Sequence, residues 1–157
     1  CADRRLVPSL ARAVLDDAKL AHARQLGVEH TINTRDGAAA LSAIKDRVGA
    51  RGVTVVLDFV GAQATVDLGA QVVGRNSRLT VVGLGGGVVH YAANRPPYGC
   101  QVTVPYWGSR TELMEVIALA EAGRIHVEVQ SHPLEQAVQV YEALRAGKVR
   151  GRAVLTP

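Results

Sequence analysis

The sequence predicts an α/β fold built on a parallel sheet, and three observations carry that prediction. Short apolar segments alternate along the chain with amphipathic segments of helical length, the pattern of strands joined by crossover helices. Two of the apolar segments, residues 53–58 and 77–82, are nearly unbroken runs rich in Val, Leu and Thr, as strands covered on both faces require. Glycines stand at the ends of these segments, at Gly27, Gly49, Gly61, Gly74, Gly83, Gly123 and Gly147, where helices stop and strands turn.

The elements follow in order. Residues 11–15 form a short apolar segment that reads as a strand. Asp16 and Asp17 supply an N-cap and first-turn charge to a helix carrying Ala18, Leu20, Ala21, Ala23 and Leu26 at helical spacing, stopped by Gly27. A brief strand is expected over residues 30–33. A second helix is expected over residues 37–48, with Leu41, Ile44 and Val48 on one face and Gly49 as its stop. The strand at 53–58 runs into Gly61 and a third helix over residues 62–73, closed by Gly74. The strand at 77–82 runs into Gly83-Leu-Gly-Gly-Gly87. Pro96-Pro97 marks a loop before a short strand at 101–104. A helix over 111–122 places Leu113, Val116, Ile117 and Ala120 inward. Residues 125–129 alternate and predict a half-exposed strand. A last helix over 134–146 and a last strand over 153–155 complete the chain.

What is absent from this order also matters. A βαβ dinucleotide unit opens with a strand, a G-x-G-x-x-G turn and a helix whose N-terminus holds the pyrophosphate. Residues 1–10 contain no glycine. The expected architecture over residues 1–157 is therefore an incomplete Rossmann-type doubly wound parallel sheet, a truncated dinucleotide-binding domain lacking its first strand and glycine loop. Losing that central strand leaves two flanking strands with unpaired edges. The chain opens on Cys1 rather than Met, as a fragment, a processed product or a mistranslated start would.

Composition narrows the function classes. The length of 157 residues and 48% hydrophobic content suffice for one core. No apolar run is long enough for a membrane span, and Asp3, Arg4, Arg5 and Pro8 do not make a signal peptide. A cytoplasmic setting with free thiols is expected for Cys1 and Cys100, a single disulfide being the other option. The net charge of +4 comes from scattered arginines without interleaved aromatics, so nucleic acid is not an expected partner. His22, His30, His90, His126 and His132 show no metal-ligand spacing, and no metal is expected to bind this chain.

Ligands of open α/β sheets sit beyond the carboxyl ends of the strands. Two ends stand out: Asp58-Phe-Val-Gly61, with an acid and a glycine directly after the strand, and Val81-Val-Gly83, where a missing side chain lets backbone approach a flat ligand.

The segments Asp17-Ala-Lys-Leu-Ala21, Leu26-Gly27, Val56-Leu-Asp-Phe-Val-Gly61, Val81-Val-Gly83, Pro105-Tyr-Trp-Gly-Ser-Arg-Thr-Glu-Leu-Met-Glu115 and Gly151-Arg-Ala-Val-Leu-Thr156 occur in a recognisable order. In that order the chain, from Ala11 to Pro157, resembles the coenzyme-binding half of zinc-containing, NAD-dependent alcohol dehydrogenases of the medium-chain dehydrogenase/reductase superfamily. The resemblance implies that Phe59, Val60 and Gly61 line the floor beneath the coenzyme. It implies that Gly83, Leu84, Val104 and Tyr106 border the nicotinamide and its carboxamide, and that Arg152 reaches the pyrophosphate. It also implies NAD as coenzyme of the intact protein and an alcohol, aldehyde or ketone as substrate. Zinc would belong to a separate catalytic domain that this chain lacks, and a homodimer would form through the strands after Gly83 and near Gln101. Residues 5–9 resemble the end of the family's first helix. The family's ribose-binding acid falls on Val14 in an ungapped alignment, or on Asp16 with one deletion. The reading that follows is a coenzyme-binding fragment of an oxidoreductase, inactive alone, with a non-catalytic α/β assembly module as the alternative.

Overall fold

The computed structural model describes residues 11–125 and 127–157; the resemblance at residues 5–9 lies outside them. The chain divides into two compact units, Cys1–Tyr106 and Trp107–Pro157.

In the first unit, β1 (Ala11–Val14), α1 (Asp17–Gln25), β2 (His30–Asn33), α2 (Gly37–Val48), β3 (Val53–Asp58), α3 (Gln63–Val72), β4 (Val73–Val81) and β5 (Gln101–Thr103) follow in order. The helix starts obey their capping residues. The Asp16 carboxylate accepts from Ala18 N at 2.8 Å. Asp36 accepts from Ala38 N and Ala39 N at 3.0 Å each, meeting donors that the first turn leaves without intrahelical partners.

Every ladder is parallel. β1 pairs with β2 from Ala11 opposite His30 to Val14 opposite Asn33. β3 pairs with β4, and β4 with β5, in the order β3-β4-β5. The sheet is thus interrupted: among the described residues, β1 has no partner besides β2, and β3 has none besides β4. α2 packs against α3 and joins the two parts. The architecture is the expected α/β arrangement of parallel strands, partial as described.

The core gathers under α3. Leu79 and Val66 are fully buried, with Val73 and Val81 beside them and Val56, Val89, Val102 and Cys100 packed around. Cys100 is a free thiol, and burial pushes its pKa up.

Several boundaries differ from the sequence expectation here. α3 ends at Val72 and β4 begins at once with Val73, so Gly74 lies in the strand rather than closing the helix. The reason is a backbone crossing: a Cβ on Gly74 would stand 2.2 Å from the Arg51 carbonyl oxygen, and one on Gly52 would stand 2.7 Å from Gly74 Cα. β4 then bends at Asn76, which adopts φ 52°, and its register against β3 shifts between Val53 and Val55. β5 stops at Thr103, one residue before the expected end.

The second unit contains α4 (Arg110–Glu121), β6 (Val129–Pro133), α5 (Ala137–Arg145) and β7 (Arg152–Thr156). A reciprocal capping box starts α4: Glu112 N donates to Ser109 Oγ at 3.2 Å, and Ser109 N donates to Glu112 Oε2 at 2.6 Å. Hydrogen bonding of the carboxylate by Ser109, first through its backbone N–H and then through its side chain, lowers the Glu112 pKa. The strand expected at residues 125–129 lies instead at Val129–Pro133. Its parallel partner β7 begins only after Gly151, whose Cβ would meet the Glu128 carbonyl oxygen at 2.1 Å. Pairing therefore starts with Val129 opposite Arg152 and ends with Pro133 opposite Thr156. The helix expected over 134–146 opens as a 3₁₀ turn at Leu134–Gln136 before α5 begins. None of the described residues of this unit is buried.

Candidate functional site at the carboxyl ends of β3, β4 and β5

Because β3, β4 and β5 run parallel, their carboxyl ends open on one rim, and Asp58 organises it. Asp58 is the last residue of β3 and only 7% exposed. A buried carboxylate must be compensated by donors, and three are present. Oδ1 accepts from Val60 N at 2.9 Å and Gly61 N at 3.0 Å, and Oδ2 accepts from the Thr65 hydroxyl at 2.8 Å. The side chain thereby fixes the turn from β3 into α3. Its main-chain oxygen accepts from Val82 N at 2.7 Å and Gly83 N at 3.1 Å, so the same residue also anchors the end of β4.

Beyond that anchor the two chain segments cross backbone to backbone. Gly85 N donates to Val60 O at 3.0 Å, and Gly87 N to Gly61 O at 2.7 Å. The crossing leaves no room for a Cβ. On Gly61, which has φ +68°, it would lie 2.1 Å from the Gly83 carbonyl oxygen. On Gly83 it would lie 2.1 Å from the Val60 carbonyl carbon. The side-chain-free position that the sequence reading assigned to ligand approach is filled by the protein's own backbone.

The rim that results is apolar and open. Phe59 is 71% exposed and Val60 57%, Leu84 94%, Val104 69% and Tyr106 90%. Large apolar side chains held outward at strand ends are informative because folding normally hides them. The structure thus brings Phe59, Val60, Gly61, Gly83 and Leu84 together through the crossing. Val104 and Tyr106 follow β5, whose Thr103 pairs with Thr80 of β4. Arg152 belongs to the second unit, where it opens β7 with an exposed side chain and donates its N–H to Glu128 O at 2.8 Å. At the end of β1, Asp16 is engaged in capping α1, while Asp17 accepts from the Asn33 amide at 2.7 Å.

Sequence reasoning noticed Asp58 but missed Thr65, whose hydroxyl completes the anchor seven positions later. It also missed Gln63, which holds the loop after the glycine run. Among the described residues no three His, Cys, Asp or Glu side chains gather as metal ligands. No helix among them is long and apolar enough to cross a membrane.

The zinc-binding dehydrogenase family matches residues 11–127. An alcohol dehydrogenase of Moraxella sp. (strain TAE123) is 30% identical over 148 residues, covering 94% of this chain and 43% of that protein. A NAD-dependent alcohol dehydrogenase of Sulfolobus acidocaldarius is 36% identical over 108 residues, 67% of this chain and 31% of that protein. The crystal structure of the alcohol dehydrogenase from Aeropyrum pernix superposes with a TM-score of 0.85 at 35% identity, covering 95% of this chain and 43% of that one. The chain spans less than half the length of these relatives. By its matched residues, its parallel strand order and its rim, this chain belongs to the zinc-binding dehydrogenase family.

Proposed function

We propose that this chain is the coenzyme-positioning part of an NAD(P)-dependent alcohol dehydrogenase-like oxidoreductase, acting on an alcohol, aldehyde or ketone. The observation that carries the reading is the exposed apolar rim of Phe59, Val60, Leu84, Val104 and Tyr106 after three parallel strands, with the buried Asp58 anchoring the ends of β3 and β4. A flat apolar rim with main-chain groups beside it suits the nicotinamide end of a dinucleotide. The bound coenzyme supplies the hydride chemistry. The protein's part is positional: the Asp58 anchor holds two backbone segments in fixed contact, so Leu84 is presented from a rigid base rather than a mobile loop. The described residues contain no metal cluster and no glycine loop at a helix N-terminus. The chain alone is therefore expected to bind NADH no more tightly than about 1 mM, on the order of 4 kcal/mol, and to turn over no alcohol. A homodimer through the outer edge of β5, near Gln101, and a cytoplasmic location belong to the same proposal.

The test uses a chimera in which residues 11–157 replace the matching segment of the Moraxella alcohol dehydrogenase. Leu84→Glu sets a carboxylate on the rim at a side chain too exposed to matter for folding. NAD affinity is expected to fall at least tenfold, about 1.4 kcal/mol, with the melting temperature unchanged. Unaltered NAD affinity in the folded variant refutes the assignment of the rim.

One observation favours the second reading, a non-catalytic assembly module. α4 and α5 expose Leu113, Met114, Ile117, Val138 and Tyr141, surface that association would cover. Sedimentation of the isolated chain separates the two. Stable oligomers without coenzyme binding in the chimera favour the module.

A further inference from the structure

Between α2, α3 and the loop of residues 88–97, the first unit forms a half-open cavity of about 550 Å³. It shares no residue with the coenzyme rim. Its apolar part is made by Val66 and Ala70 of α3 with Val88, Val89, Pro96 and Pro97 of the loop. Val66 and Pro96 are buried, so this surface belongs to the packed body of the protein.

The loop is pinned, which makes the cavity a built feature. The Gln63 carboxamide oxygen accepts from Val88 N at 2.9 Å. Its nitrogen donates to Val88 O at 3.1 Å and to Asp67 Oδ1 at 2.8 Å. One side chain of α3 thus satisfies both main-chain groups of the first loop residue and holds the single carboxylate in the lining.

The polar groups around the cavity are Lys45 of α2, Asp67 and Gln71 of α3, and His90, Asn94 and Arg95 of the loop. Lys45 and Arg95 are basic side chains, and Asp67 is the single carboxylate of the lining. An apolar surface with a few convergent polar groups, in a volume suited to a small molecule, is the general form of a ligand site.

We propose that this cavity binds a small amphiphilic carboxylate, an apolar ring or branched body carrying one negative charge. The body would lie against Ala70, Val88, Val89 and Pro97, and the carboxylate would face Lys45 and Arg95. The charge count selects a monoanion: Lys45 and Arg95 exceed Asp67 by a single positive charge, and Asp67 would repel a phosphate dianion. The ligand's charge would sit at exposed cations, so binding should weaken with salt.

The test is a titration of the full chain, followed through its backbone amide resonances, with benzoate, neutral benzamide and acetate as probes. Benzoate is expected to shift Ala70, Val88 and Val89 with millimolar affinity, the range its few atoms allow. Benzamide, lacking the charge, and acetate, lacking the body, are each expected to bind at least tenfold more weakly. The double variant K45Q/R95Q alters two exposed side chains and should lose at least tenfold in benzoate affinity while keeping its melting temperature. Equal binding of benzoate and benzamide overturns the proposal. So does full benzoate affinity in the double variant, the absence of shifts at the cavity, or shifts confined to Gly83 and Leu84. The probe series on the unaltered chain decides the question even if the variant fails to fold.

Discussion

Replacing Gly83 by alanine tests the backbone crossing directly, because its cost comes from space and not from backbone angle. Gly83 lies outside the left-handed region, whereas Gly61 and Gly86 have φ of +68° and +79°. An added Cβ on Gly83 would stand 2.1 Å from Val60 C, 2.3 Å from Val60 O and 2.6 Å from Phe59 C. Carbon atoms settle at roughly 3.5–4.0 Å, so the segments must part by more than 1 Å or so along that direction. Parting them strains the bonds from Gly83 N to Asp58 O and from Gly85 N to Val60 O, 3.1 and 3.0 Å long. Overpacking costs about 1–3 kcal/mol, and each weakened main-chain bond adds up to about 1 kcal/mol. Gly83→Ala is therefore expected to destabilise the first unit by roughly 2–4 kcal/mol. Gly86→Ala is the control: nothing lies within 4 Å of its Cβ, and only the positive φ is penalised, by roughly 1–2 kcal/mol. Urea denaturation of both variants gives the comparison. A Gly83→Ala cost no larger than that of Gly86→Ala refutes the crossing as the reason for glycine. It would then restore the alternative, a position kept bare for a ligand.

Three further substitutions test the side-chain hydrogen bonds of the Asp58 anchor and of the α4 cap. Asp58→Ala strips the partners from Val60 N, Gly61 N and the Thr65 hydroxyl, and should cost about 1–3 kcal/mol. Thr65→Val should cost less, and a double-mutant cycle in urea should show coupling between the two; strict additivity argues against a shared anchor. The α4 cap should depend on pH with a defined sign. The Glu112 pKa is lowered in the folded chain, so its contribution is fully present above the ordinary carboxyl range and is lost as pH falls through the lowered value. Glu112→Gln, read by amide exchange at the start of α4, should remove that acid sensitivity; an unchanged profile would assign it to another group.

How far the sequence could be read depended on whether the deciding contacts were local. The bounds of β2, α2 and β3 coincide with the reading from sequence, because each rests on neighbours in the chain. Asp36 caps α2 two and three residues ahead, Gly49 ends it, and the β-branched content of residues 53–58 favours extension by itself. Where the deciding atom lay far along the chain, the same reasoning failed. Val73-Gly74 has the pattern of a helix stop, yet Arg51, more than twenty residues earlier, claims that glycine for a strand crossing. Residues 125–129 have the alternation of a strand, yet β7 sets the ladder later, at Val129. The rim shows the same division. Asp58 and its glycines were visible as an acid and small residues at strand ends. That Gly83 yields its space to Val60, and that Gln63 pins a loop 25 positions away, are facts of packing that no local pattern encodes. A glycine in sequence states only that a side chain is missing. The atoms that occupy its place decide whether the position serves a ligand or the fold, and at Gly61 and Gly83 those atoms are backbone.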